Sequence, residues 1–133
     1  MNIAFLAQDN KKELMVQFCI ASCGILAKHD LYATAATGKM VEAATGLKVN
    51  LLLPGPDGGS EQLASRVEYG EIDLVIAFRD PTVSYTRSRS VNDLLRSCDS
   101  NNIPVATNAA TAEILLQGLS RGDFSWRDMV HHR

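Results

Sequence analysis

The chain has few of the features that mark secreted, membrane or nucleic-acid-binding proteins. Its 133 residues include three cysteines, four prolines and one tryptophan, with a formal net charge of −2. An odd, small number of cysteines argues against a disulfide-framed secreted domain. The near-neutral charge gives no general attraction to nucleic acid or membranes, and no apolar run approaches the ~20 residues of a membrane span. We therefore expect one cytoplasmic domain over residues 1–133, with no nucleic-acid or membrane partner.

The cysteines do not form a metal-binding pattern. Cys19 and Cys23 lie four residues apart on an apolar helical segment, and Cys98 is far along the chain. No further Cys or His stands at the spacing that a metal site requires. We interpret the cysteines as small core residues and expect no bound metal.

Apolar strand-like runs alternate with helix-like runs from end to end. Strands are predicted at residues 2–7, 31–33, 48–53, 72–78 and 103–106, and helices at 11–28, 38–45, 60–69, 90–97 and 108–116. This order is typical of an α/β protein, a three-layer sandwich of one five-stranded, mainly parallel sheet with helices on both faces. A polar C-terminal tail begins at about residue 118.

Two turns rich in small residues follow predicted strands, at residues 34–38 and 54–59. Each precedes a helix, so its backbone N–H groups and the positive end of the helix dipole are suited to holding a phosphate or another anion. The simpler alternatives are helix capping by Thr37 and an ordinary Asp-Gly turn. In parallel α/β sheets ligands bind at the carboxyl ends of the strands, which is where both turns lie.

Eight motifs distributed along the chain carry a family resemblance, and the longest is Asn-Ile-Pro-Val-Ala-Thr-Asn-x-Ala-Thr-Ala. They lie at residues 3–9, 31–38, 45–46, 49–50, 55–59, 70–73, 80–81 and 102–112. In these motifs the chain resembles the methylglyoxal synthase family, and it aligns from residue 2 to about 116 without a gap. The resemblance implies a single α/β domain that usually forms homohexamers. It also implies conversion of dihydroxyacetone phosphate to methylglyoxal and inorganic phosphate, without a metal or cofactor.

The resemblance also implies a phosphate-binding set. Its lysine falls on Lys12, its threonine turn on Thr34, Thr37 and Gly38, and a backbone N–H contact on Gly55. The chain departs from the family at two positions beside this set. Ala36 in the threonine turn and Pro54 before Gly55 each stand where the family has a residue with a hydroxyl group. Four further residues are candidates for the pocket: Asp9 and Asp80, which are also the catalytic candidates among them, and Arg87 and Asn108 as possible ligand contacts.

The residues expected to carry out the reaction are substituted. Ser60 stands where the family has the aspartate base, Gln8 replaces a histidine, and Arg87 and Ser90 replace a histidine and an aspartate. Enolisation needs a positioned base with a suitable pKa, and an unassisted serine cannot supply one. This pattern favours a phosphorylated-ligand-binding protein that is weak or inactive as a lyase.

Two alternatives stay open. The first is an active methylglyoxal synthase, or a lyase acting on another phosphorylated ketose, with Asp9, Asp57 or Glu61 as the base. The second is an oligomeric scaffold with a vestigial pocket.

Segment 79–89 contains Arg79, Arg87, Arg89 and Tyr85. It is either a solvated loop or a cationic clamp over the pocket, since arginine forks suit phosphate and carboxylate groups.

Overall fold

The computed structural model describes residues 1–84 and 89–127, and its helices alternate with the strands of a single sheet. The strands are β1 (Asn2–Ala7), β2 (Asp30–Ala33), β3 (Val49–Leu51), β4 (Leu74–Phe78) and β5 (Val105–Ala106). The helices are α1 (Lys12–Ala21), α2 (Cys23–Leu26), α3 (Ala35–Thr45), α4 (Gly59–Glu68), α5 (Arg89–Ser100) and α6 (Ala109–Ser120). Short 3-10 turns span Asp9–Lys11 and Gly55–Asp57.

The sheet has five strands in the order β3-β2-β1-β4-β5, and every pairing is parallel. The predicted α/β class is confirmed. The sheet was predicted to be mainly parallel, and its five described strands are all parallel. β1 lies at the centre, with Phe5 opposite Ala33 of β2 and opposite Ile76 of β4. The edge strands β3 and β5 have only three and two residues.

Side chains of the central strands alternate between two hydrophobic cores, one on each face of the sheet. Ile3 and Phe5 pack into the core beneath α1, α3 and α6, while Ala4 and Leu6 face α4 and α5. Because β1 is covered on both faces, it is a nearly continuous apolar run rather than an alternating one. The helices predicted on both faces are therefore present.

Several element boundaries differ from the sequence prediction. The helix predicted over 11–28 is interrupted at Ser22, where φ is −104° and ψ is 12°, and Gly24 next to this break has a low helix propensity. α3 begins at Ala35 rather than at 38. α6 runs to Ser120, so the tail predicted from about 118 begins slightly later.

A histidine near the break, His29, lies close to the chain start, with its Nδ1 3.0 Å from the Met1 amine.

A buried ion pair fastens the last described residues to the amino-terminal edge of the sheet. Arg127 and Asp73 both have fully buried side chains, and Arg127 Nε lies 3.4 Å from Asp73 Oδ1. Arg127 also donates to the Asn102 carbonyl at 3.2 Å, and Asp73 Oδ2 accepts the Asn2 N–H at 2.8 Å. This contact joins the C-terminal segment to β1 and to the start of β4, on the side of the sheet opposite the strand carboxyl ends.

Candidate functional site

A cavity of about 720 Å³ lies over the carboxyl ends of the strands. Its walls come from the segments that follow β1, β2, β3 and β4, and from the start of α5. Polar lining residues are Gln8, Asp9, Asn10, Lys12, Thr34, Ser60, Asp80, Thr82, Ser84 and Ser90. The cavity therefore lies at the edge where ligands of parallel α/β folds bind.

Thr34 places the start of α3 in the cavity wall. It is the N-cap residue, with extended backbone (φ −62°, ψ 154°), and its side chain makes no capping hydrogen bond. The first N–H groups of an α-helix have no partner within the helix. An anion at this position would accept from them and gain from the helix dipole.

The turn that follows β3 is held rigidly beside Thr34. The Pro54 carbonyl accepts from the N–H groups of Asp57 at 2.9 Å and Gly59 at 3.0 Å, and Gln62 Oε1 accepts the Leu53 N–H at 2.7 Å. A Cβ atom at Gly59 would lie 2.0 Å from the Leu53 carbonyl oxygen, so only glycine fits there. The close packing fixes the position of Gly55 in the cavity wall.

Ser60 is buried beside this turn, 7% exposed. The N-cap of α4 is Gly58, which has a left-handed backbone with φ 104°. Ser60 instead lies in the first turn of the helix. A Cβ on Gly55 would be 3.9 Å from Ser60 Oγ, which places the hydroxyl next to the turn.

A lysine and a carboxylate meet at the end of β1. Lys12 Nζ donates to Asp9 Oδ1 at 2.7 Å, and the Lys12 side chain is 25% exposed while that of Asp9 is fully exposed. Exposed pairs of this kind contribute little to stability. Breaking this pair to admit a ligand at Lys12 would consequently cost little energy.

The second carboxylate of the cavity, Asp80, is already saturated with hydrogen bonds. Thr82 donates to Asp80 Oδ1 from Oγ1 at 2.6 Å and from its N–H at 2.9 Å, and Asn10 donates to Oδ2 at 2.7 Å. The Thr82 bonds, followed by that from Asn10, hold the pKa of the Asp80 carboxyl below its ordinary value. Gln8 Oε1 accepts the Asp80 N–H at 2.5 Å. Asp80 thus organises the loop after β4 and is a weak base.

Most of the predicted site residues meet in this cavity. Those in its wall are Asp9, Lys12, Thr34, Gly55, Ser60 and Asp80, with Gln8 and Ser90. Arg87 and Tyr85 lie outside the described residues. Arg79 donates to Asn92 Oδ1 at 3.2 Å and is not part of the wall.

Three predicted residues lie outside the wall, each for a packing reason. Thr37 is fully buried, one turn before Val41 on the core-facing side of α3, and its Oγ1 has no hydrogen-bond partner among the described residues. Gly38 packs where a Cβ would lie 2.3 Å from Leu51 Cδ2. Asn108 caps α6, accepting the Thr111 N–H at 3.0 Å.

The sequence prediction missed part of the wall. Asn10, Thr82, Val83, Ser84 and Val91 all line the cavity. Asn10 and Thr82 could have been found from their positions, since each lies within two residues of a predicted strand-end aspartate. The others lie in the loop and helix start beyond β4, where no pattern in the sequence indicates which way they face.

The cavity therefore combines three kinds of chemistry. The α3 N-terminus, Gly55 and Lys12 can hold an anion. Asp9 adds an exposed carboxylate, paired with Lys12, to the same wall. Neutral hydroxyls and amides occupy the remainder.

Comparisons with known proteins agree with one another. A family model described as the MGS-like domain matches residues 16–107. The chain is 56% identical over 131 residues to the methylglyoxal synthase of Caldicellulosiruptor saccharolyticus, covering 98% of this chain and 93% of that protein. It is 49% identical over 130 residues to that of Thermoanaerobacterium thermosaccharolyticum, covering 98% and 97%. The crystal structure of methylglyoxal synthase from Elizabethkingia anophelis matches with a TM-score of 0.77 at 35% identity, covering 86% and 76%.

Proposed function

This chain belongs to the methylglyoxal synthase family, and on that premise we propose that it converts dihydroxyacetone phosphate to methylglyoxal and inorganic phosphate. The observation that carries the proposal is that relatives named methylglyoxal synthase match nearly the whole chain at about half identity. The strand-end cavity supports it, because an anion-holding turn and an exposed carboxylate line the same space. The base would be a carboxylate at a position other than 60.

The phosphate would be held at the β2 and β3 end of the cavity. Thr34 and the first N–H groups of α3 face it from one side, the Gly55 N–H from the other, and Lys12 supplies the positive charge. Hydrogen bonds to a charged group are worth about 1.5–3 kcal/mol each. Three or four such bonds are enough to anchor a small phosphate ester.

Asp9 is the carboxylate best suited to remove the proton from carbon. Asp80 is a poor base because its oxygens already accept three hydrogen bonds. Asp57 and Glu61 are exposed and lie outside the cavity wall. When a phosphate binds Lys12, it competes with Asp9 for the ammonium group, and the Asp9 carboxylate then lies beside the bound ester, where it can act as a general base.

A methylglyoxal-release assay with dihydroxyacetone phosphate tests this assignment. The wild-type chain should release methylglyoxal, and Asp9→Asn should lower the rate by about 10²–10⁴-fold. Glu61→Gln is the matched control and should retain the wild-type rate. Loss of activity in Glu61→Gln instead of Asp9→Asn would show that the base is wrongly assigned.

A second candidate is ligand binding without turnover, as in a sensor or regulatory domain. The observation that favours it is Ser60, a neutral and buried hydroxyl beside the phosphate turn. In that case calorimetry gives saturable heat with dihydroxyacetone phosphate while the release assay stays at background. Absence of both signals would leave the vestigial pocket as the remaining explanation.

We also propose that the chain assembles as a homo-oligomer, with a hexamer as the form that the family resemblance implies. Ile20 and Ile114 support this, because these large apolar side chains are 52% and 69% exposed on helices of one face. Light scattering should then give six times the 14.5 kDa chain mass. A monomer mass would refute assembly.

A further inference from the structure

The cavity is much longer than a triose phosphate. It reaches from Gly55, after β3, to Ser84, after β4, and the strand order puts three interstrand steps between those strands. At about 4.8 Å per step the span is about 14 Å. Dihydroxyacetone phosphate measures about 6 Å from phosphorus to its terminal hydroxyl, given bond lengths of about 1.5 Å. Anchored at Thr34 and Gly55, it would end near β1.

Beyond β1 the cavity is lined by hydroxyl groups together with the Asp80 carboxylate. Thr82, Ser84 and Ser90 contribute the hydroxyl groups, and Val83 and Val91 add apolar surface between them. Thr82 Oγ1 donates to Asp80, and a hydroxyl oxygen that donates still has lone pairs to accept another bond. Alternating hydroxyl and methyl groups match a polyol chain, which presents O–H and C–H groups in turn.

The substituted positions strengthen this match. By the family resemblance, Ser90 occupies the place of an aspartate and Ser60 that of another. Each exchange removes a negative charge and leaves a smaller group that both donates and accepts. The changes that weaken the predicted acid–base set thus make room for an uncharged, hydroxylated chain.

We propose that the preferred ligand of this site is a 2-ketose 1-phosphate with five or six carbons. This inference rests on the proposed function, because it uses the same phosphate anchor at Thr34 and Gly55. The ketone would lie over β1, and the remaining hydroxylated carbons would extend to Thr82, Ser84 and Ser90.

The family reaction on such a ligand is balanced without a further reactant. A base takes the proton from C3, and the electron pair forms the C2–C3 enediolate. The C3 hydroxyl then passes its proton to the phosphate as the C3 carbonyl forms and the bond between C1 and the phosphate oxygen breaks. Inorganic phosphate leaves, and the resulting C1=C2 enolate takes up at C1 the proton that the base had removed. The products are a 1-deoxy-2,3-diketone and phosphate, in place of methylglyoxal and phosphate. No oxidant or reductant is consumed.

Calorimetry with matched ligands tests the inference. D-Ribulose 1-phosphate should bind about tenfold more tightly than dihydroxyacetone phosphate, which corresponds to one or two additional neutral hydrogen bonds. D-Ribulose 5-phosphate is the control, since it has the same formula but carries its phosphate at the end remote from the ketone. It should show no such gain.

Variants in the part of the cavity beyond β1 test where the additional contacts with ribulose 1-phosphate lie. Ser90→Ala should lower the ratio of ribulose 1-phosphate affinity to dihydroxyacetone phosphate affinity by about threefold or more. Ser100→Ala, at the exposed end of the same helix, should leave that ratio unchanged. Ser90 is exposed, so its loss of a hydroxyl does not endanger folding.

The outcomes separate the two proposals. If dihydroxyacetone phosphate is converted but ribulose 1-phosphate binds no more tightly, the longer ligand is refuted and the proposed function stands. If ribulose 1-phosphate binds more tightly and neither ligand releases phosphate, the ligand class stands and the reaction is refuted. An unchanged ratio in Ser90→Ala overturns the placement of the chain, and no binding of either ligand overturns both proposals.

Discussion

Gly59→Ala is the substitution that most directly tests how the fold holds the site. The new Cβ would lie 2.0 Å from the Leu53 carbonyl oxygen and 3.0 Å from that of Pro54. Both neighbours are backbone atoms, so the turn or the start of α4 must move by about 1 Å to restore ordinary contacts. Such overpacking costs about 1–3 kcal/mol, offset by up to about 1 kcal/mol from the better helix propensity of alanine.

The same movement reaches the ligand. Gly55 lies in the turn that would shift, and its N–H is one of the proposed phosphate donors. Because a displacement of about 1 Å can cost about 10²-fold in a positioned site, dihydroxyacetone phosphate affinity should fall by tenfold or more. Gly24→Ala is the control, since nothing lies within 4 Å of its Cβ position. Urea denaturation and calorimetry measure the two effects. Wild-type stability together with wild-type affinity in Gly59→Ala would refute the reasoning.

Three further predictions concern buried and titratable groups. Arg127→Met should destabilise the protein by about 3 kcal/mol, because it breaks the fully buried ion pair with Asp73. Arg121→Met, which removes an exposed pair, should cost less than about 1 kcal/mol. Equal urea midpoints for the two variants would contradict this difference. Burial, followed by the neighbouring N-terminal amine, lowers the pKa of His29. The folded state therefore favours the neutral imidazole, and the contribution of His29 to the free energy of unfolding is full above the unfolded pKa of about 6.5. That contribution is lost as the pH falls through the folded pKa. His29→Gln should therefore flatten the loss of stability between about pH 7 and pH 5, and an unaltered slope would exclude His29 as its source. Burial raises the pKa of Cys19 and of Cys98 to about 12, so a thiolate-specific reagent at about pH 8 should label neither thiol until the protein is denatured; rapid labelling of either in native protein would contradict that burial.

The fold could be predicted from the sequence because its signals are local. β1 is covered on both faces, so it is a continuous apolar run, and Gly46 ends α3 in the left-handed conformation that glycine favours (φ 75°). Ser22 shows the limit of such signals. Apolar spacing continues across it, and the break between α1 and α2 has only a weak sequence cue in Gly24.

The site could be predicted only in part, for a similar reason. Strand ends identify Asp9, Thr34 and Asp80, because the carboxyl ends of parallel strands share one edge. Thr37 is as plausible as Thr34 in the sequence, and only the packing of α3 turns it into the core. The hydrogen bonds that make Asp80 a weak base come from Asn10 and Thr82, and no spacing rule connects Asn10 to a residue 70 positions away.

The two short edge strands have a consequence for aggregation. A long, flat sheet edge offers unpaired N–H and C=O groups to any passing strand, and is a common starting point for fibres and domain swapping. β3 and β5 offer three and two residues, too few to template a foreign strand. A peptide in a strand conformation would therefore gain few backbone hydrogen bonds at either edge.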